Sequence, residues 1–165
     1  MEVLPCPVCR GTLRVIGSRN RIWKQADGSS PRLRLRRLRC QECSTVHHEL
    51  PDLLIPHKHY DACCMEDTIA EQERDDSVVS AESSTMIRWK QGFSHWLRMV
   101  LLMLQTLLYR FGRQVPNSFL SPTGSSILSI VGPWVGVKKG WLVRLVQPLV
   151  NTHIYQHTRF AFLSR

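Results

Sequence analysis

The sequence predicts an α+β protein in which a zinc ribbon, a small antiparallel β-sheet held by four cysteines, precedes an all-α region. Two Cys-x-x-Cys pairs bracket a stretch in which leucine alternates with arginine, as expected in a strand. Beyond residue 60 the apolar residues recur at intervals of three and four, as they do in helices. We therefore expect a zinc-ribbon domain over residues 1–60 and a helical domain over residues 61–165, with an acidic linker near residues 71–82.

Each cysteine pair leaves two residues between its thiols, so that one tight turn can direct both sulfurs at a single ion. Four thiolates in this arrangement form a closed tetrahedral shell of the kind that binds zinc structurally. The alternative is four unrelated thiols; a thioredoxin-type redox pair is disfavoured because strands and a proline-rich turn surround the motif. We expect one structural Zn²⁺ ion bound by Cys6, Cys9, Cys40 and Cys43.

Other side chains that bind metals lie near these pairs. His47 and His48 follow the second pair and could replace a ligand, but four cysteines already complete the shell, so we interpret both as strand or surface residues. Cys63 and Cys64 are adjacent in a predicted helix, where neighbouring side chains point about 100° apart. We interpret them as buried free thiols.

The region between the cysteine pairs predicts a β-hairpin. Residues 13–16 and 21–23 predict two short strands, and residues 27–31, which contain Asp, Gly and Pro, predict the turn. Leucine then alternates with arginine over residues 32–39, and an arginine doublet at positions 36 and 37 breaks the alternation as a bulge would. A last strand is predicted over residues 45–50.

Caps and apolar spacing predict the helices. Asp61 can cap a helix that runs to about Glu71 and directs Ala62, Met65 and Ile69 inward. Ser83 or Ser84 can cap a longer helix, and Gly112 is expected to end it.

Two further helical segments follow a Ser/Pro/Gly connection over residues 117–126. A short helix is predicted over residues 127–131, and Pro133 is expected to start another segment. Residues 141–163 have helical apolar spacing, although Pro148 is expected to kink or interrupt that helix.

Basic residues are concentrated at both ends of the chain, whose net charge is +9. Residues 1–60 hold 11 Lys and Arg against 5 Asp and Glu, residues 61–92 hold 3 against 8, and residues 93–165 hold 8 against none. This distribution favours contact with a polyanion, because phosphate contacts come mainly from lysine and arginine. Composition alone does not separate DNA from RNA or from an acidic protein.

We predict nucleic-acid contacts from the arginine-rich strand with its neighbours, and from the start of the long helix. Guanidinium groups bind phosphate and guanine edges with two bonds, although charge on an edge strand also keeps a sheet soluble. The helix start is typical of a recognition helix, for which a plain core helix is the alternative. The predicted contacts are Arg14, Arg21, Lys24, Arg32, Arg34, Arg36, Arg37, Arg39, Thr85, Arg88 and Lys90, and Arg19 would enlarge the same patch.

The sequence also predicts where in the cell the protein is located. Proline and the first cysteine precede any apolar stretch, so we expect no signal peptide, and six cysteines then remain reduced in a cytoplasmic protein. A membrane span needs about 18 apolar residues. The most apolar run, residues 99–109, is shorter and is interpreted as part of a core helix, so no membrane partner is expected.

Several motifs carry a resemblance to known proteins. The N-terminal C-P-x-C, the basic hairpin, the run R-R-L-R-C-x-x-C and the following H-H-E-L-P-D-L-L-I-P-H-K resemble the N-terminal zinc ribbon of bacterial transposases. The whole chain is similar to a bacterial domain-of-unknown-function family that joins such a ribbon to a helical, helix-turn-helix-like region. The resemblance implies a DNA-associated protein linked to mobile elements, with the four cysteines named above as metal ligands.

The chain departs from that pattern in two respects. Many zinc knuckles carry glycine directly after the second cysteine, where Arg10 and Ser44 stand here. Transposase catalysis does not carry over, because those enzymes place carboxylates on a large α/β domain, and residues 93–165 contain neither Asp nor Glu.

We therefore expect a zinc-ribbon protein that binds nucleic acid, with duplex DNA as the ligand, in an accessory or regulatory role. The alternative is a protein-interaction module in which the zinc is purely structural and the tryptophans of the helical region anchor a partner: Trp89, Trp96, Trp134 and Trp141. An enzyme is not expected, because no catalytic constellation is recognisable and four thiolates leave no open coordination position on the metal.

Overall fold

The chain begins with a three-stranded antiparallel sheet, seen in a computed structural model that describes residues 5–70, 81–114 and 126–152. Its strands are β1 (Leu13–Ile22), β2 (Arg32–Cys40) and β3 (Val46–His48), and they lie in the order β1-β2-β3. Four helices follow among the described residues, so the predicted α+β class is confirmed. The segments over residues 71–80 and 115–125 lie outside the described residues, as do most of the acidic linker and the chain after residue 152.

Strand β1 is continuous, where the sequence predicted two short strands. Val15 pairs with Leu38 and Gly17 pairs with Arg37, so Ile16 is the extra residue of a β-bulge. The bulge therefore lies in β1 and not at the arginine doublet of β2, where we predicted it. Gly17 has a φ of 151°, which residues with a side chain rarely adopt, and this lets the strand continue through the bulge. Strand β3 covers only 3 residues of the predicted 45–50.

The segment after β3 attaches the sheet to the helices. Ile55 is buried, and its carbonyl accepts a hydrogen bond of 3.0 Å from the guanidinium group of Arg21 in β1. The indole N–H of Trp23 donates to the Asp61 carboxylate at 2.9 Å. The end of β1 is thereby joined to the residue that starts the helical region.

Helix α1 (Ala62–Ala70) has the cap that the sequence predicted. The Asp61 carboxylate accepts a hydrogen bond of 2.8 Å from the Cys63 N–H, which satisfies one of the unpaired donors of the first turn. The three residues expected to point inward, Ala62, Met65 and Ile69, are each no more than 1% exposed. The packing of α1 against the core is therefore as predicted.

Helix α2 (Ser83–Arg110) is the longest element, and its apolar stripe forms one side of the core. The serine cap was predicted wrongly: Glu82 occupies the N-cap position, and its side chain makes no capping hydrogen bond. The predicted stop is confirmed, because Gly112 has a φ of 65° and donates to the Tyr109 carbonyl, while Arg113 donates to the Leu108 carbonyl. These two bonds form a Schellman motif.

Helices α3 (Ile127–Val135) and α4 (Trp141–Asn151) each contain a proline. Pro133 lies within α3 and does not start a new segment, so that prediction was wrong. Helix α4 continues through Pro148, so the predicted interruption of this helix was wrong as well. A proline removes one backbone donor and crowds the preceding turn. Buried residues next to each proline offset this cost, Val131 in α3 and Leu145 and Leu149 in α4. Among the described residues, no helix is long and apolar enough to cross a membrane.

A buried carboxylate joins α1 to α4. Glu66 is 2% exposed, and its two oxygens accept hydrogen bonds of 2.8 Å from the backbone N–H groups of Gly140 and Leu142. These donors are otherwise unpaired at a helix N-terminus, which also carries a partial positive charge. Burial nevertheless raises the pKa of Glu66 above its ordinary value, because it disfavours the charged form more than the two N–H groups favour it.

We predict that Glu66→Gln lowers the free energy of unfolding by about 1–3 kcal/mol, because the amide NH₂ cannot accept the second hydrogen bond. The raised pKa also implies that the contribution of Glu66 decreases as the pH rises through its folded-state pKa. The free energy of unfolding, measured with urea from pH 4 to pH 8, should show this pH dependence in the wild type and not in Glu66→Gln. Glu82→Gln, at an exposed position directly before α2, is the control, and a Glu66→Gln variant as stable as this control would contradict the role of Glu66.

Candidate metal centre and basic surface

The four cysteines predicted as metal ligands converge at one end of the sheet. Their sulfur atoms all lie within 4.8 Å of one another, with 3.7 Å between Cys6 and Cys43 and 3.4 Å between Cys9 and Cys40. Sulfurs that each lie about 2.3 Å from a tetrahedral zinc ion would be separated by about 3.8 Å. The observed spacing fits such an ion, so the cluster could hold a metal without rearrangement of the chain.

The two cysteine turns share one backbone design. The N–H of Cys6 donates to the carbonyl of Gly11 at 2.9 Å, and the N–H of Cys40 donates to the carbonyl of Thr45 at 3.0 Å. In each case the acceptor lies five residues after the donor.

The residue after the second cysteine of each turn has a left-handed backbone, Arg10 with a φ of 64° and Ser44 with a φ of 58°. The glycine-free sequence therefore still forms both knuckles, at the cost of strain that glycine would not have.

The local groups make the sulfurs chemically unequal. The side chain and the backbone N–H of Thr45 bond to the Cys43 sulfur and lower the pKa of Cys43 to about 6. A backbone N–H at Cys43 favours the Cys40 thiolate, but burial and the Glu42 carboxylate outweigh it and raise the pKa of Cys40 to about 12. A metal ion binds thiolates, so its arrival must release the proton that Cys40 holds at neutral pH.

His47 lies closer to the metal centre than we expected of a surface residue. Its Nε2 is 3.3 Å from the Cys6 sulfur, and the side chain is half-buried. A histidine N–H in this position can donate to a metal-bound thiolate and orient it. His48 follows on the opposite face of β3 and is exposed, as predicted.

The sheet divides the predicted arginine patch between its two faces. Residues directly opposite each other in an antiparallel pair project to the same face, and alternate residues of one strand share a face. Arg14 pairs with Arg39, and Arg37 pairs with both Gly17 and His48. One face, which we call the basic face, therefore carries Arg14, Arg19, Arg37, Arg39 and His48.

The basic face has no acidic partner within the described part of the chain, where the ion pair joins Arg36 and Glu49. The five side chains named are exposed, whereas Leu35, which the register places on the same face, is buried, and Arg21 and Leu33 there are half-buried. The charges lie close enough to act on each other, since burial and then Arg19 and Arg37 lower the pKa of His48. This concentration of unpaired positive charge was not evident from the strand alternation, because it depends on the register of three strands.

Most of the other side chains predicted as nucleic-acid contacts on the sheet interact with groups of the protein itself. On the opposite face Arg32 is exposed, Arg34 donates to the Ser18 hydroxyl at 2.8 Å, and Arg36 donates to Glu49. The guanidinium group of Arg21 is half-buried against the carbonyls of Ile55 and Lys58. The ammonium of Lys24 lies 4.9 Å from the centre of the Tyr60 ring.

The contacts predicted on α2 lie in its first two turns. Arg88 is exposed and donates to the Ser84 carbonyl at 3.2 Å, while Thr85 and Lys90 are half-buried. Burial and the nearby charge of Arg88 lower the pKa of Lys58 in the segment after β3. The start of α2 therefore lies near the segment after β3.

Sequence reasoning missed Glu66, because its partners lie 74 and 76 residues further along the chain. It also missed the contact of His47 with Cys6. Cys63 and Cys64 were interpreted as buried, and Cys64 is buried while Cys63 is half-buried. Burial is the largest cause that raises the pKa of each thiol to about 11, so both favour the unreactive thiol form.

Comparison with known proteins gives one family match. The model of a family described as Domain of unknown function (DUF6431) matches residues 6–89, just over half of the chain. The matched segment runs from the first cysteine to Trp89 and includes the sheet, α1 and the start of α2. No curated protein and no solved structure matches the chain.

We predict that Arg10→Gly and Ser44→Gly each stabilise the metal-bound protein by about 1 kcal/mol, because glycine removes the strain of a left-handed residue. The midpoint of denaturant unfolding in the metal-loaded protein measures the change. Asn20→Gly, at an exposed position within β1, is the matched control and should destabilise the protein. Destabilisation by both knuckle variants would show that their backbone geometry is not the one described.

Proposed function

The chain belongs to the DUF6431 family, and we propose that it is a zinc-ribbon protein that binds nucleic acid through the basic face of its sheet. Duplex DNA is the proposed ligand, and the proposed role is accessory or regulatory. The observation that carries the proposal is the basic face itself, where four exposed arginines and an exposed histidine lie on the same side of the sheet without an acidic partner among the described residues.

Zinc is the metal that best suits the four-cysteine cluster. Four thiolates at tetrahedral spacing form a soft ligand set that zinc prefers, and they leave no coordination position for a substrate. The metal would therefore stabilise the sheet and take no part in catalysis. Cys6, Cys9, Cys40 and Cys43 would hold it, with His47 beside the shell.

A charged edge that only maintains solubility does not account for the basic face. Such an edge needs charges but does not need two of them directly opposite each other, and Arg14 lies directly opposite Arg39. Like charges in that arrangement destabilise a sheet. A bound polyanion would relieve this repulsion and so offset the destabilisation of the sheet.

The shape of the sheet also suits a duplex. The major groove of B-DNA admits a two-stranded β-ribbon, and β1 and β2 form such a ribbon. Every residue of β1 from Arg14 to Asn20 is exposed, so both faces of this strand are accessible. The proposed link to mobile elements rests on the resemblance of the ribbon sequence to transposase ribbons.

The second candidate is a protein-interaction module, but three of the four tryptophans expected to anchor a partner are buried. Trp89, Trp96 and Trp141 are no more than 5% exposed and belong to the core, and Trp134 is half-buried. Exposed apolar side chains on and beside α2 keep this candidate open, with Leu102 64% exposed and Tyr109 67% exposed. Patches of this kind mark partner surfaces when they are contiguous.

We predict that duplex DNA binds the zinc-loaded protein with an affinity that falls steeply as salt is added. Four arginine contacts correspond to a slope of about −3 to −4 in a plot of log K against log salt concentration. Arg19→Gln combined with Arg37→Gln should make this slope shallower by about 2. Fluorescence anisotropy of a labelled duplex from 50 to 300 mM salt measures both quantities.

Lys138→Gln combined with Lys139→Gln is the matched control, because it removes the same charge from the exposed turn before α4. Its slope should equal that of the wild type. A wild-type slope near zero, or equal losses in the control and the test variant, would contradict binding through the basic face. Repeating the series with duplex RNA separates the two nucleic acids.

A further inference from the structure

A cleft of about 430 Å³ lies where the bulge of β1 meets the second cysteine turn. Arg14 and Arg39 line it, together with Val15 and Ile16. Cys40, Gln41 and Ser44 complete the lining on the side of the second cysteine turn. The cleft therefore combines two cations, an apolar wall and neutral polar groups.

We propose that this cleft binds one phosphate group of the nucleic-acid backbone between Arg14 and Arg39. The inference rests on the proposed function and assigns it a specific anchoring site. Arg14 and Arg39 are directly opposite each other, and within the described residues neither has an acidic partner. An anion held between two guanidinium groups removes their repulsion and accepts two bonds from each planar group.

The bulge determines the shape of the site. A β-bulge locally increases the twist of a strand and redirects its side chains. Val15 lies opposite Leu38 and so alternates to the other face from the two arginines, but the bulge leaves Val15 51% exposed and Ile16 43% exposed, and both residues line the cleft. A bare anion or a carboxylate would gain nothing from this apolar wall, whereas the sugar next to a backbone phosphate would cover it.

The metal centre holds the same site in place. Arg39 precedes the ligand Cys40, and Arg14 follows Leu13, whose backbone pairs with Cys40. The N–H of Gln41 donates to the carbonyl of Thr12 at 3.0 Å, which fixes the second cysteine turn against the start of β1. Loss of the metal would therefore separate the two arginines, and phosphate binding depends on metal loading.

The first experiment uses inorganic phosphate as the probe, followed by NMR of the full zinc-loaded chain labelled with ¹⁵N. We expect the largest shifts at the backbone N–H groups of Val15, Ile16 and Gln41. Arg39→Gln should weaken the apparent phosphate affinity at least tenfold, and Arg98→Gln on α2 should not change it. Shifts spread over other arginines, or shifts that persist in Arg39→Gln, would overturn the proposal.

The second experiment asks whether the arginines share one phosphate. Affinities for a duplex are compared among the wild type, Arg14→Gln, Arg39→Gln and the double variant. Two side chains that bind the same phosphate give losses that do not add, whereas side chains on separate phosphates give additive losses. Additive losses would therefore overturn the shared site. Each variant should unfold at the wild-type denaturant midpoint or above it, because the substitution relieves like-charge repulsion.

The outcomes of these two experiments test the phosphate site and the proposed function separately. Salt-sensitive duplex binding that is unchanged in both single variants would refute the cleft and leave the proposed function standing. Phosphate binding in the cleft without duplex binding would refute the proposed function and leave the cleft standing as an anion site. Loss of both on removal of zinc, with recovery on its return, supports the coupling to the metal centre.

Discussion

The structure depends on the convergence of four cysteine sulfurs at one end of a sheet that has almost no core of its own. Most of β1 is exposed, and in β2 only Leu35 and Cys40 are buried. So little apolar burial cannot offset the conformational entropy of ordering these strands. The four Sγ atoms all lie within 4.8 Å of one another, which suits a bound ion, whose binding free energy would then become folding free energy. The strained backbones of Arg10 and Ser44 are tolerated because the same cluster holds them.

A second set of contacts gives the sheet a fixed place relative to the helices. Arg21 and Trp23 extend from the end of β1 to the segment after β3 and to Asp61, which also caps α1. The basic face lies further along the same strands, towards the cysteines. It is therefore held between the cysteine cluster at one end and a hydrogen-bonded junction at the other. A nucleic acid bound there would meet preorganised charges, which lowers the entropy cost of binding.

Patterns within single elements of the sequence predicted much of this arrangement. The features that these patterns did not predict depend on contacts between residues far apart in the chain. The cysteine spacing predicted the cluster, and the three- and four-residue spacing predicted the core face of α2, because both signals repeat within one element. The bulge at Ile16 was placed on the wrong strand, since register depends on the partner strand as much as on the arginine doublet. Pro133 and Pro148 remain inside helices because tertiary packing outweighs local propensity. The partition of the arginines between two faces was likewise set by register.

The central claim is that four thiolates hold a zinc ion that organises the basic face. X-ray absorption at the zinc edge of the purified protein tests it most directly, because it reports the metal, the type of ligand atom and the distance together. The account predicts four sulfur neighbours at about 2.3 Å, with His47 outside the coordination shell. A shell of three sulfurs and one nitrogen would show that His47 replaces a cysteine. Purified protein that folds with no bound metal would contradict the account as a whole.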